Sequence, residues 1–125
     1  MPDLTPEYRR LLEAALAYAG FEQSVDDVVA MVESHEAQFW PGANSCVVTQ
    51  IDVQPQCKVL HFFLAAGVMA ELEAMTPIIL EWGVAHGCTK ARLVGRKGWA
   101  RSFLMDSGWH DTGLVILEKR LNGEG

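Results

Sequence analysis

The stretch KARLVGRKGWARSFLMDSGW, residues 90–109, decides how this chain is read. Residues 91–94 have the composition of a short buried strand. Gly95, Arg96, Lys97 and Gly98 form a basic turn. Residues 99–107 then read as an amphipathic helix, Gly108 stops it, and Trp109 enters a further strand. This is the densest positive cluster in an acidic chain. With Trp99 it forms a candidate anion site, where amides at a helix start and guanidinium groups face a phosphate or carboxylate. The other reading is a solvated basic helix start whose glycines serve only the turn, and the residues leave both readings open.

Upstream, Gly87 ends a helix that begins after Gly67 and carries Met69, Leu72, Met75, Ile79 and Trp82 at helical spacing. Pro77 lies inside it, and a kink or a break is expected there. Before it, residues 45–53 (SCVVTQIDV) and 57–65 (CKVLHFFLA) are rich in β-branched and aromatic residues. Gln54-Pro55-Gln56 joins them as an antiparallel hairpin. A turn centred on Pro55 pairs Asp52 with Lys58, Thr49 with His61 and Val47 with Phe63. Phe39-Trp40-Pro41-Gly42 reads as a turn that ends the preceding unit. Trp40 could line a cleft or simply pack the loop onto the core.

Two helices come first. Thr5-Pro6-Glu7 is a start signal, with Thr as cap and Pro at the first helical position, and Gly20 is a natural stop. Ser24 caps the second helix, with Asp26 and Asp27 in its first turn. Downstream of the opening stretch, residues 109–111 and 114–121 flank Thr112-Gly113 as a closing hairpin, and 122–125 is a frayed tail.

The expected order is therefore α-α-β-β-α-β-α-β-β. It is an α/β (α+β) class with a mixed central sheet and helices on both faces. A length of 125 residues fits one domain, residues 1–125, with 1–20 as an N-terminal helical extension.

Half of the residues are apolar and the net charge is −6. A packed globule is expected, and general nucleic-acid or anionic-membrane binding is not. Cys46, Cys57 and Cys88 have no metal-ligand spacing, so neither a zinc site nor a disulfide framework is expected. Without a leader or a membrane-length apolar run, the chain reads as cytoplasmic.

The element order, with GRKGWARSFLMDSGW and a closing hairpin, resembles the GNAT superfamily of N-acetyltransferases over residues 24–121. Ala100, Leu104, Gly108 and Trp109 fall where that family carries Ala, Tyr and a Gly-aromatic pair. The wording FWPG, SCVVTQI, KVLHFFLAAG and GRKGW is also similar to short GNAT-like proteins encoded by phages and prophages. The resemblance implies acetyl-CoA or another acyl-CoA as cofactor. It places Ala65, Gly67, Val68, Arg96, Lys97, Gly98 and Trp99 around that cofactor, with His61 as the base for a substrate amine. It further implies a bacterial host cell or a virion as location, and a phage particle or host protein as partner.

Two positions depart from that pattern. At the family's pyrophosphate loop this chain has Gly67, Ala70 and Leu72, without the basic residue or the first glycine, and Glu71 and Glu73 would repel phosphate. At the family's tyrosine it has Leu104, which has no proton to donate. The expectation is a divergent or non-catalytic binding module on a GNAT-like frame; the alternative is an acetyl-CoA-dependent N-acyltransferase working by direct attack.

Among other candidates, His61 is either a general base or a satisfied core histidine. Glu71 and Glu73 read as helix-start acids or as bases. His35, Glu36, His86, His110 and Asp111 read as surface groups. Cys88 lacks a neighbouring histidine that would make it a nucleophile. No metal site is expected.

Overall fold

The computed structural model describes residues 5–18, 22–95 and 97–121. The elements run α1 (Pro6–Tyr18), α2 (Val25–Glu33), β1 (Gln38–Pro41), β2 (Cys46–Gln54), β3 (Cys57–Ala66), α3 (Met69–Ala85) and β4 (Lys90–Leu93), followed by two 3-10 helices, Lys97–Arg101 and Phe103–Ser107. The class is mixed α+β. A four-stranded sheet in the order β1-β2-β3-β4 has β3 and β4 parallel and the other pairs antiparallel.

The helix starts follow from their caps. Thr5 accepts the Tyr8 amide at 3.3 Å ahead of Pro6. Ser24 and Asp27 form a reciprocal capping box, each accepting the other's backbone N–H at 3.1 and 2.8 Å. Arg9 bridges α1 to α2 through Asp26 at 3.1 Å. Leu12 and Leu16 of α1 and Val25 and Val28 of α2 are buried with Cys46, Val48 and Leu64 on one face of the sheet. Leu72 and Ile79 of α3 are buried with Val47, Leu60 and Phe62 on the other. The sheet is thus covered on both faces.

Four expectations are corrected. Residues 38–41 form a strand rather than a terminal turn: Trp40 lies opposite Val47 and Pro41 opposite Cys46. Proline is tolerated there because β1 is an edge strand among the described residues. The β2–β3 hairpin turns on Pro55-Gln56, so Val53 faces Lys58 and Asp52 faces Val59, one residue away from the expected register. Residues 99–107 are not one α-helix. Ser102 interrupts them, donating its hydroxyl to Trp99 O at 2.7 Å and accepting the Leu104 amide at 3.3 Å, which supports a new 3-10 start. Finally, residues 109–121 form no strand, so the expected closing hairpin is absent and β4 is the other edge of the sheet among the described residues. The Gly20 stop and the 122–125 tail lie outside the described residues.

α3 continues through Pro77 without a break. Thr76 donates to Leu72 O at 2.7 Å one residue earlier. No helix among the described residues is long and apolar enough to cross a membrane.

Candidate functional site

β3 contains a bulge. Val48 pairs with Leu64 but Thr49 pairs with Phe62, so Phe63 is the extra residue. The alternation reverses across it. Phe62 packs toward α3, Phe63 and Leu64 pack toward α1 and α2, and Ala65 returns toward α3. Pairing of β3 with β4 ends at the same level, at Phe62 opposite Leu93. β3 continues to Ala66 while β4 stops. The two strands part there, around a cleft of about 100 Å³ lined by Phe62, Phe63, Ala65, Leu93, Gly95 and Trp99, among others. A drug-sized ligand site is typically about 300 Å³ or more. A larger open groove of about 310 Å³ lies between the start of α1 and Asn44, well apart from this parting.

Ala65 and Trp99 therefore meet at the cleft. Gly95 leaves room for Trp99, because a Cβ there would lie 2.8 Å from Trp99 Cδ1. Gly98 is exposed and has nothing within 4 Å of a Cβ position. Lys97 opens a five-residue 3-10 helix, too short to carry the α-helical dipole assumed for an anion site. Arg96 lies outside the described residues.

His61 does not line the cleft; its neighbour Phe63 does, with ring centroids 6.5 Å apart. His61 sits in a cross-strand row between Gln50 of β2 and Arg92 of β4. Burial holds its imidazole below the ordinary 6.5, and Arg92 adds to the effect while Asp52 opposes it. The unfolded chain therefore binds a proton that the folded chain resists. Stability from this group is complete above pH 6.5 and is lost as pH falls through the window below it. Histidine NMR should give a His61 midpoint below 6.5, moved upward by Arg92→Ala; an unchanged midpoint in that variant would remove Arg92 as a cause.

The start of α3 is the most constructed part of the site. Gly67 leaves β3 with φ +122°. Val68 is the N-cap residue and offers no side-chain cap. Its amide donates to Ser45 Oγ at 2.8 Å. Glu71, in the first turn, accepts the Asn44 amide at 2.8 Å and the Asn44 side-chain N–H at 3.2 Å. The Asn44 amide holds the Glu71 carboxyl below its ordinary 4.5. Loop 42–45 is thereby tied across the helix start by hydrogen bonds from its own chain.

Gly67 and Val68 are where the resemblance puts a pyrophosphate, and the residues present do not fit one. The Val68 amide already has an acceptor, Ser45 lies against Gly67, and a carboxylate occupies the first turn. Asn44 and Ser45 were not legible as site residues. Each is an ordinary loop residue whose partner lies 27 or 23 positions further along.

The remaining candidates have structural roles. Trp40 donates to Thr49 Oγ1 at 3.0 Å and meets Trp82 edge-on at 5.5 Å. His86 ends α3, with Nδ1 2.8 Å from Trp82 O. Leu104 is buried. Cys46, Cys57 and Cys88 are free thiols, and burial pushes Cys46 up to about 11, which leaves it unreactive. Among the described residues no group of three or more His, Cys, Asp or Glu could hold a metal ion.

No protein-family model matches this chain, and no curated protein is similar to it. Solved structures that share the fold include the wild-type crystal structure of TTHA1254 from Thermus thermophilus, at TM-score 0.56, and that of a point mutant of the same protein, at 0.58. Each is 12% identical to this chain, and the similarity spans 100% of both chains.

Proposed function

We propose that this chain is a non-catalytic module on a GNAT-like frame, which acts by binding a protein partner rather than by transferring an acyl group. The observation that carries this reading is the tied start of α3, where Ser45, Asn44 and Glu71 occupy the position a cofactor pyrophosphate would need. Leu104 supports it, being buried and unable to donate a proton. The phage-like wording of residues 39–67 and 95–99 makes a phage particle or a host protein the partner class.

A second reading, an acyl-CoA-dependent N-acyltransferase, draws on the parting of β3 and β4 at the Phe63 bulge, since bulges gather beside active sites. In it Ala65, Gly67, Val68 and residues 96–99 would hold the cofactor and His61 would be the base. Titration with acetyl-CoA separates the two. The expected result is no calorimetric heat and an unchanged melting midpoint at millimolar cofactor. A ligand at 100 times its Kd would add about 2.7 kcal/mol of stability, which a melt detects readily. Saturable acetyl transfer that is lost in Arg96→Ala would overturn the non-catalytic reading.

A further inference from the structure

Residues 114–121 leave the body of the protein as an apolar arm. Leu114, Val115, Ile116, Leu117 and Leu121 are 65–92% exposed. Four consecutive aliphatic residues are the pattern of a strand covered on both faces, yet here they pair with no strand among the described residues. The hinge before them is held locally. Gly113 has φ +77° and donates to Asp111 Oδ1 at 2.8 Å, and the Leu114 amide donates to Thr112 Oγ1 at 3.2 Å. Upstream, Trp109 is anchored edge-on against Phe62 at 5.6 Å. The arm therefore departs from a fixed point with a set direction.

The same chain carries the complementary edge. Among the described residues β4 pairs with β3 on one side only, so its other side presents unpaired backbone groups. Ala91 and Leu93 of β4 belong to the α3-side core but are only half-buried, and Val94 beyond them is exposed. We infer that the arm of one copy adds to the β4 edge of a second copy, in a reciprocal exchange that forms a twofold dimer. An antiparallel register with Val115 opposite Leu93, Ile116 opposite Arg92 and Leu117 opposite Ala91 puts Glu118 opposite Lys90. Val115 and Leu117 then join the half-buried core positions Leu93 and Ala91, and Glu118 and Lys90 face each other with opposite charges. At the usual transfer coefficients each aliphatic side chain removes roughly 100 Å² from water. Two arms of four such side chains, Leu114 to Leu117, with the surface they cover, reach roughly 1,600 Å², the size of a stable interface. The inference does not depend on whether the chain is catalytic.

Light scattering on the full chain at micromolar concentration is expected to give a dimer. Leu117→Lys, which places a charge opposite Ala91 on the α3-side face, is expected to weaken it at least 100-fold and to leave the melting midpoint of the monomer unchanged. An Arg92→Cys, Ile116→Cys double variant, oxidised and run without reductant, is expected to form a covalent dimer whose disulfide peptide mapping assigns to those two positions. A cross-linked monomer would overturn the exchange, because the arm would then cover its own edge. A monomeric wild type would overturn it too, as would a dimer that survives Leu117→Lys.

Discussion

Gly67→Ala is expected to destabilise the protein by about 3–5 kcal/mol and to lower its melting midpoint by roughly 10–20 °C. The backbone there has φ +122°, a region that residues with a side chain rarely adopt. A Cβ would also lie 2.5 Å from Asn44 O, Ser45 Cα and Ser45 Oγ. No rotamer change relieves this. Two of the three atoms are backbone, and Ser45 is fully buried with its hydroxyl accepting the Val68 amide. Loop 42–45 must move away from α3, taking the Asn44–Glu71 hydrogen bonds with it. Gly98→Ala is the control, since its Cβ would meet nothing within 4 Å. Thermal melts of both variants check the argument. A Gly67→Ala midpoint within about 3 °C of wild type would mean that the loop is free to shift and that the start of α3 is not held closed.

The second large effect is a reversal of sign at the contact between α3 and β3. A Cβ on Gly83 would lie 2.7 Å from Leu60 Cδ2. Leu60 is 1% exposed and cannot swing away. Gly83→Ala alone is expected to cost about 1–3 kcal/mol by overpacking, partly offset by the better helix propensity of alanine. Leu60→Ala alone is expected to cost about 2–5 kcal/mol through the cavity it leaves. In the Leu60→Ala background the clash is gone, so Gly83→Ala should become stabilising by roughly 1 kcal/mol. Urea denaturation of the four chains measures the coupling. Strict additivity would mean that the helix does not rest on Leu60 at this point.

What the residues alone specify divides from what they do not by the range of the interactions involved. Both N-terminal helix starts were legible because Thr5-Pro6 and Ser24 with Asp27 act within one turn. The β2–β3 hairpin was legible from composition, but its register was not. Whether Pro55 centres a three-residue turn or begins a two-residue one shifts every pair by one, and the Phe63 bulge shifts the upper half again. β1 was missed although Phe39 and Trp40 are good strand residues, because Pro41-Gly42 looked like the end of a unit rather than the start of a four-residue connection. At the site, Ala65 and Trp99 were grouped only through the resemblance, and both line the cleft where β3 and β4 part. His61, read as either a base or a core histidine, lies one residue pair away from the cleft wall.

Local segments and their class were thus written into the chain itself. Helical and strand periodicities, caps and glycine stops act over a few residues and need no partner to be read. Two chemical exclusions were written there as well, since leucine at 104 has no proton to give and glutamate at 71 opposes an anion whatever the fold. Whether the start of α3 stands open or closed was not, because that depends on Asn44 and Ser45 arriving from another loop. Nor was the break of residues 99–107 at Ser102. The fate of residues 114–117, apolar enough for a strand yet leaving the sheet edge at β4 unpaired among the described residues, also emerged only with the folded chain. A strand exists only where a second backbone meets it, and no property of a single segment specifies where that partner lies.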